Sequence, residues 1–172
     1  MSMLYGIAVF PSQAVQDFAN SWRIRHDPHY SIIPPHMTIR DKEELSESQL
    51  PAITEHLEAV ASQTKPFQIR YNRVSSFYPA SHVLYLALED PAPMIKLHQA
   101  VCQGPLDVPA PNFVYTPHVT IGQNMPPDEL HDLYGNLRMS EVNLTSTIDS
   151  LHLLRKTASG VWHVDKTFAL KG

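Results

Sequence analysis

The chain has 172 residues, of which 43% are hydrophobic, and a formal net charge of −4 with histidine counted as neutral. This hydrophobic content suits one domain, here expected to span residues 1–172 in two small lobes, and argues against disorder over the whole length. The acidic balance argues against a protein that binds long duplex nucleic acid, which needs a basic face, but it allows a nucleotide or a short RNA end as partner.

The single cysteine, Cys102, excludes a disulfide within the chain and structural zinc sites built on two or more cysteines. The longest apolar stretches, such as 3–10 and 83–88, are too short to span a bilayer. The first ten residues lack the basic segment and the cleavage site of a signal peptide. We therefore expect a cytoplasmic protein without a membrane span.

Hydrophobic periodicity in the first half predicts alternating strands and helices. Ser12 is expected to cap the first helix, whose apolar stripe includes Val15 and Ala19. The predicted elements are a buried strand over 4–10, a helix after Ser12, a strand over 36–40, a helix over about 47–62, and strands over 67–75 and 82–88 that are joined by a turn at 78–80.

The second half repeats much of this order. Prolines such as Pro109 and Pro111 mark turns between its elements. The predicted elements are a helix with Asp90 as N-cap and Pro91 as its first residue, a strand over 118–122, a helix over 127–134 stopped by Gly135, and a closing pair of strands over 142–154 and 161–168 that turns near Gly160. The order predicts an α+β fold with antiparallel sheets and an internal duplication.

A short pattern of proline, histidine and threonine occurs twice, about half a chain apart. Residues 35–39 read Pro-His-Met-Thr-Ile and residues 117–121 read Pro-His-Val-Thr-Ile, with the two histidines 82 positions apart. Short motifs arise by chance, but a matched pair with proline before and an apolar residue after each copy is a stricter requirement than either copy alone. The repeat singles out His36, Thr38, His118 and Thr120 as candidate functional residues.

Each copy is expected to place its histidine and its threonine on one face of a strand. Side chains alternate across a strand, so His36 and Thr38 share a face while Met37 and Ile39 point the other way. The same alternation applies to the second copy, and the β-branched threonine is stiff about its first side-chain torsion, which holds the hydroxyl in a nearly fixed direction.

If the two halves pack with approximate two-fold symmetry, the polar faces of both copies meet across a cleft. Two imidazoles and two hydroxyls would then surround one small volume that suits a phosphate. The hydroxyls can donate hydrogen bonds to phosphate oxygens, while one histidine takes a proton from the nucleophile and the other gives one to the leaving oxygen. The pattern alone does not decide which histidine is the acid.

Two other interpretations of the histidine repeat stay open at this point. Each histidine could cap a surface strand or form a hydrogen bond inside the core. The histidines could also bind a metal, but a catalytic zinc needs three protein ligands, and neither copy carries a second histidine, a cysteine or a carboxylate on the same strand face.

The two motifs make the chain resemble the 2H phosphoesterase superfamily, which is defined by two H-x-T/S-x motifs. Residues 36–39 and 118–121 match that pattern without departure. The resemblance extends toward the bacterial YjcG-like branch through further stretches that together run over most of the chain: 5–7, 10–12, 27–30, 33–36, 74–77 and 117–123.

The resemblance implies two ferredoxin-like halves, each with an antiparallel sheet that lines a central cleft. It implies chemistry without metal or other cofactor on 2′,3′-cyclic phosphates or 2′–5′ phosphodiesters, by hydrolysis or by the reverse ligation. In the roles usual for the family, His36 is the proton donor and His118 the proton acceptor. Thr38 and Thr120 carry over as the hydroxyls that bind the phosphate.

Several residues outside the motifs have both a functional and a structural interpretation. Arg40 could reach a phosphate or form a solvated strand end, and Gly122 could leave room for substrate or end its strand. His26 and His29 form a loose H-x-x-H pattern and are expected at the surface or the cleft rim, with metal binding as the less favoured interpretation. Tyr5, Phe77 and Tyr115 are expected to stack on a base or to pack in the core, and Trp22 and Trp162 to pack in the core or between the lobes. The remaining assignments are a buried helix position for Cys102 and structural or solvated positions for the histidines at 56, 82, 98, 131, 152 and 163.

Three functional hypotheses follow. The favoured one is a monomeric, cytoplasmic 2H-type phosphoesterase that acts on a small nucleotide or an RNA end. The second is a binding module without catalysis that recognises an RNA end or a phosphorylated metabolite. The third is a metal-dependent phosphodiesterase, which the absence of a carboxylate-rich cluster in the sequence does not favour.

Overall fold

Strands and helices alternate along the whole chain of the computed structural model, which describes residues 2–108 and 114–172. Short 3₁₀ turns at Glu47–Gln49 and Gly104–Leu106 precede α2 and follow α3. In chain order the elements are β1 (Ser2–Val9), α1 (Gln13–His26), β2 (Met37–Ser46), α2 (Leu50–Gln63), β3 (Phe67–Ser76), β4 (Val83–Leu88), α3 (Ala92–Val101), β5 (His118–Gln123), α4 (Pro127–Leu137), β6 (Leu144–Ile148), β7 (Ser150–Lys156) and β8 (Trp162–Ala169).

The strands form two antiparallel sheets of four strands each. The first sheet has the order β2-β1-β7-β8 and the second the order β5-β4-β3-β6. The first sheet therefore combines strands from both ends of the chain, whereas the second uses only strands from the middle. The predicted α+β class with antiparallel sheets is confirmed, with one strand more than the sequence pattern indicated.

The helices cover the sheets and also connect them. Helix α2 packs against β7 and β8 of the first sheet, and α4 packs against β3 and β4 of the second. Helix α1, which precedes β2, lies against β5, while α3, which precedes β5, lies against β2. Each of these two helices thus contacts the motif strand of the opposite sheet. The buried side chains of both sheets form one hydrophobic cluster.

The predicted closing strand over 142–154 is in fact two strands in two different sheets. Strand β6 pairs with β3, whereas β7 pairs with β1 and β8. The reason is a change of phase at the exposed Asp149. Buried positions are even-numbered before it, at Ser146 and Ile148, and odd-numbered after it, at Leu151 and Leu153. The change of phase coincides with the point at which the chain leaves the second sheet and enters the first.

The ends of three helices differ in detail from the sequence prediction. Ser12 is the N-cap residue of α1, but its hydroxyl donates to the carbonyl of Thr145 at 2.8 Å instead of capping the helix. Pro91 is the N-cap residue of α3, and the Asp90 carboxylate accepts a hydrogen bond from the backbone of Ala92 at 3.0 Å. Helix α4 continues through Gly135 to Leu137, which is buried and adds another apolar contact.

Three remaining predictions concern a turn, two prolines and a membrane span. The turn near Gly160 is confirmed, and Gly160 has the positive φ of 88° that favours glycine. Pro109 and Pro111 lie outside the described residues. None of the helices in 2–108 and 114–172 combines the length and the apolar character that crossing a bilayer requires.

Candidate active site

The two motif strands have the alternation that the sequence predicts. In the first motif, Met37 and Ile39 are 0% and 1% exposed, and in the second, Val119 and Ile121 are both fully buried. The histidine and threonine of each motif alternate with these positions and are only partly buried. Burying each apolar side chain contributes about 1.5–3 kcal/mol, so the strand is held firmly with its polar face open.

A single cavity joins the two polar faces. It has a volume of about 1300 Å³, and His36, Thr38, His118 and Thr120 all line it. Strands β2 and β5 are edge strands of their respective sheets, and they face each other across this cavity. The convergence that the sequence suggested on the assumption of two-fold packing is therefore present in the structure.

The two histidines have the same local geometry. Nδ1 of His36 lies 3.0 Å from the carbonyl oxygen of Pro34, and Nδ1 of His118 lies 2.8 Å from the carbonyl oxygen of Thr116. Because a carbonyl can only accept a hydrogen bond, Nδ1 carries the proton in both rings. Nε2 is therefore the atom of each ring that can take up or release a proton.

Burial of the two rings lowers both pKa values. It lowers the pKa of His36 to about 4, and the positive charges of Arg23 and of protonated His118 act in the same direction. The hydrogen bond to Pro34 and the charge of Asp27 oppose this shift. Burial also lowers the pKa of His118, against the effect of its hydrogen bond to Thr116. Both rings are therefore neutral at pH 7 when no substrate is bound.

Two aromatic rings fix the orientation of His118. The imidazole meets the edge or face of Phe77 at 5.0 Å and of Tyr85 at 5.3 Å between ring centroids. Phe77 and Tyr85 in turn stack on each other at 4.2 Å. Phe77 also lines the cavity and is half-buried, so its position agrees with packing and leaves the base-stacking alternative open. These contacts limit rotation of the ring and keep Nε2 in one place.

A buried ion pair holds the segment that leads into the first motif. Nε of Arg23 lies 3.0 Å from the Asp27 carboxylate, and both side chains are almost fully buried. The Arg23 guanidinium also donates to the carbonyl of Ile33 at 2.7 Å. The same carboxylate accepts hydrogen bonds from the backbone of His29 at 2.8 Å and from the amide of Gln123 at 2.9 Å. The pair thereby connects α1, the approach to His36, and β5.

The outer edge of β2 is closed by two side chains. The hydroxyl of Tyr115 donates to the carbonyl of Thr38 at 2.8 Å, and Nδ1 of His98 donates to the carbonyl of Ile39 at 2.7 Å. The two rings are stacked with an interplanar angle of 3°. The predicted structural role of His98 is confirmed, and Tyr115 uses its ring for this stack and its hydroxyl for the motif strand.

The comparisons with known proteins identify the family. The sequence profile of the 2′-5′ RNA ligase superfamily matches residues 10–160. A protein of Geobacillus thermodenitrificans named "Putative phosphoesterase" is 41% identical over 170 residues, covering 99% of this chain and 98% of its own. A protein of the same general name from Bacillus licheniformis is 38% identical over 168 residues, covering 98% of this chain and 99% of its own.

The chain belongs to the 2′-5′ RNA ligase superfamily. The fold of this superfamily member resembles the crystal structure of E. coli LigT complexed with 3′-AMP, with a TM-score of 0.73 at 15% identity and full coverage of both chains. It also resembles the TT0787 protein of Thermus thermophilus, with a TM-score of 0.71 at 19% identity and 99% coverage of both chains. The resemblance to 2H phosphoesterases is confirmed at the level of the superfamily, and the names of the relatives point to an enzyme acting on phosphoesters.

Two residues of this superfamily member differ from their sequence interpretations. Arg40 is not a solvated strand end, since it donates to the carbonyl of Leu106 at 2.9 Å, pairs with Glu43 at 2.6 Å and lines the cavity. Gly122 does not leave room for substrate or end its strand. A Cβ there would lie 3.0 Å from Met125 and 3.2 Å from His26, so the glycine allows α1 to approach β5.

The loose H-x-x-H pattern of His26 and His29 does not form a metal site. His26 lies 3.5 Å from the Glu129 carboxylate, whereas His29 lines the cavity and contacts Gln123 at 3.0 Å. In the part of the chain that the structure describes, no three side chains of histidine, cysteine, aspartate or glutamate are grouped so that they could hold a metal ion.

Cys102 is half-buried at the end of α3, with its sulfur 3.6 Å from Nδ1 of His98. Burial raises the pKa of its thiol. Since the Nδ1 proton is directed to Ile39, His98 cannot act as a base toward the thiol through that atom. This position gives no support to a cysteine nucleophile.

The sequence analysis missed the Arg23–Asp27 pair, although a signal was present. Val15, Ala19 and Arg23 recur every four residues, so the arginine lies on the buried stripe of α1. A charged residue at such a position is buried only with partners. The carboxylate four residues later, Asp27, was the available partner.

Proposed function

We propose that this protein is a metal-independent phosphoesterase that opens 2′,3′-cyclic phosphates or cleaves 2′–5′ phosphodiesters at a nucleotide or an RNA end. His36 acts as the proton donor and His118 as the proton acceptor. The hydroxyls of Thr38 and Thr120 bind the phosphate. The observation that carries the proposal is that both histidines and both threonines line one cavity with matching local geometry.

Hydrolysis of a cyclic phosphate needs one proton removed and one supplied. Nε2 of neutral His118 accepts a proton from water as the water oxygen forms a bond to phosphorus. Nε2 of protonated His36 donates its proton to the ribose oxygen as the bond between that oxygen and phosphorus breaks. The product is a nucleoside phosphomonoester, and the reverse reaction exchanges the two roles. The threonine hydroxyls donate to the non-bridging oxygens, where negative charge develops.

Because the pKa values of His36 and His118 are low, the substrate must also help to protonate the acid. At pH 7 the free protein holds both rings neutral, which suits the base but leaves the acid without its proton. A bound phosphate places negative charge beside both rings and favours a protonated imidazole. The phosphate oxygens therefore raise the pKa of His36 when they bind, and the acid is charged mainly in the complex.

The test is hydrolysis of cytidine 2′,3′-cyclic phosphate in the presence of EDTA, followed by chromatography of the product. We expect turnover to persist in EDTA and to fall by about 10²–10⁴-fold in each of His36→Ala and His118→Ala. The matched control is His163→Ala, which changes an exposed histidine on β8 outside the cavity. Wild-type turnover in either motif variant would contradict the acid–base roles.

Two other outcomes would select the competing hypotheses. Binding of cytidine 2′-phosphate without turnover of any cyclic phosphate, and only weak effects of the histidine variants, would indicate a binding module. Loss of turnover in EDTA with recovery on added metal would indicate a metal-dependent phosphodiesterase. We further propose a cytoplasmic monomer, which gel filtration and cell fractionation can test.

A further inference from the structure

The cavity extends well beyond the two histidines and two threonines. Its volume of about 1300 Å³ exceeds the range of about 300–1000 Å³ that is usual for small-ligand pockets. Besides these four residues, its lining includes Leu154, Lys156 and Trp162 of the first sheet. A cavity of this volume has room for more than one mononucleotide.

Lys156 and Trp162 form a cross-strand pair in this region. They lie directly opposite each other in the antiparallel pairing of β7 and β8, so their side chains share a face of the sheet. Both are half-buried. Across the described ranges 2–108 and 114–172, no carboxylate forms a salt bridge with Lys156. The carboxylates that line the same cavity, Asp27, Asp41 and Glu43, do not form a salt bridge with this ammonium in the described ranges, so it can pair with an anion of the substrate.

Trp162 is tied to the segment that carries the first histidine. Its backbone N–H donates to the carbonyl of Ile32 at 2.9 Å, four residues before His36. Its indole lies beside Gly6, where an added Cβ would approach a ring carbon to 3.9 Å. The tryptophan therefore has a fixed position relative to the proposed acid, and Gly6 contributes no side chain that would cover the ring.

We propose that Lys156 and Trp162 form a subsite for a second nucleoside unit of the substrate. The base of that unit stacks on the indole, and the phosphate that joins it to the first unit pairs with the ammonium. The preferred substrate class is therefore an oligonucleotide of at least two units that ends in a 2′,3′-cyclic phosphate. This inference rests on the proposed function, because it assumes that the histidines act on the terminal phosphate.

The first test compares two substrates, cytidine 2′,3′-cyclic phosphate and the dinucleotide ApC with a terminal 2′,3′-cyclic phosphate. Wild-type protein is expected to have the higher kcat/KM for the dinucleotide. In Trp162→Ala the ratio of the two kcat/KM values should fall about tenfold, since the aromatic face on which the second base stacks is lost. Trp162→Phe should retain part of the preference, which separates lost stacking from lost folding.

Lys156→Met tests the phosphate contact of the same subsite. It should lower the ratio of kcat/KM for the dinucleotide to kcat/KM for cytidine 2′,3′-cyclic phosphate several-fold, mainly by raising KM for the dinucleotide. The salt dependence of that KM should become weaker, because one charge contact is lost. The matched control is Lys166→Met, which removes an exposed ammonium on β8 that contacts Thr54 outside the cavity. The control should keep the wild-type ratio.

A binding experiment provides a readout that does not depend on catalysis. The chain has two tryptophans, and Trp22 lies on α1 outside the cavity. In Trp22→Phe the fluorescence comes from Trp162 alone. Titration with the dinucleotide ApC carrying a 3′-phosphate should quench it strongly, whereas cytidine 3′-phosphate should quench it weakly.

The failures of the two proposals are distinguishable. Absence of turnover on both substrates contradicts the proposed function. Histidine-dependent turnover with equal kcat/KM for the two substrates, or a preference unchanged in both Trp162→Ala and Lys156→Met, overturns the second subsite while the proposed function stands. A tetranucleotide with a terminal 2′,3′-cyclic phosphate is expected to have the same kcat/KM as the dinucleotide, because the proposed subsite binds only one further unit. This expectation is the same for an RNA end and for a free dinucleotide.

Discussion

The hydroxyl of Tyr115 donates a 2.8 Å hydrogen bond to the backbone carbonyl of Thr38. The bond joins the segment before the second motif to the strand of the first, and the stacked ring of His98 adds a parallel bond to Ile39. Each motif is therefore positioned by residues from the other half of the molecule. The relative placement of the two histidines depends on such contacts as much as on either strand.

Tyr115→Phe removes only this hydroxyl and keeps the stacked ring. A single hydrogen bond contributes about 0.5–1.5 kcal/mol net, so the free energy of unfolding should fall by about that amount. We expect a several-fold loss of kcat with a small change in KM, since the hydroxyl contacts the strand and not the substrate. Steady-state kinetics and urea denaturation measure both. Tyr134→Phe on α4 is the control, and equal effects of the two variants would contradict a positioning role.

The buried Arg23–Asp27 pair should be important for stability. Replacing one partner of a buried ion pair leaves an uncompensated charge, which typically costs about 3–5 kcal/mol. We expect Asp27→Asn to lower the free energy of unfolding by an amount in this range, measured by urea denaturation. The comparison is Glu89→Gln, which breaks a half-exposed pair with Arg70 at 3.2 Å and should cost less than about 1 kcal/mol. Similar losses in both variants would contradict the structural role of the buried pair.

The low pKa of His36 predicts how stability changes with pH. The folded protein binds a proton at this ring only near pH 4, whereas the unfolded chain binds it near the ordinary value of 6.5. Between these values the unfolded state holds more protons, so the free energy of unfolding decreases as the pH falls from about 6.5 to about 4. Above this window His36 makes no contribution to the pH dependence.

Urea denaturation at several pH values measures this effect. His36→Asn should flatten the decline between pH 6.5 and 4, and the control His163→Asn should leave it unchanged. By NMR, addition of cytidine 2′-phosphate should raise the pKa of His36, because the phosphate charge favours the imidazolium. An unchanged titration of His36 in the saturated complex would argue against its role as the acid.

Gly122→Ala tests whether this glycine serves helix packing or substrate. The added methyl group would meet Met125 and His26 closely, and overpacking of this kind costs about 1–3 kcal/mol. We expect a loss of stability near the lower end of that range, because the methionine side chain can move, with no change in KM. Gly135→Ala on α4 has open space around it and should be neutral or stabilising by about 0.5–1 kcal/mol. A raised KM in Gly122→Ala would restore the substrate interpretation.

Local patterns in the sequence predicted most elements and the four candidate residues. Alternation fixed the faces of His36 and Thr38, since a two-residue period is a property of any strand. The sequence could not assign strands to sheets in the same way. The split at Asp149 depends on pairing partners far along the chain, and only the change of phase between Ile148 and Leu151 hints at it.

The surroundings of the histidines were also harder to predict, because they depend on residues that are distant in the sequence. The depressed pKa values of both histidines arise from burial, and that of His36 also from the charges of Arg23 and His118, and no local pattern encodes those distances. Trp162 was expected in the core or between the lobes, and the structure places it half-buried in the wall of the cavity. The role proposed for it depends on the pairing with Lys156 and on a neighbouring glycine, both of which require the folded register.

The strand order also determines how this protein can be divided. The second sheet is built from one continuous stretch of chain between β3 and β6, whereas the first is completed only when β7 and β8 return to β1. A gene cut at its midpoint would therefore yield two fragments that each lack partners for their strands. A fragment of residues 67–148, by contrast, would contain all four strands of the second sheet, including the motif strand β5.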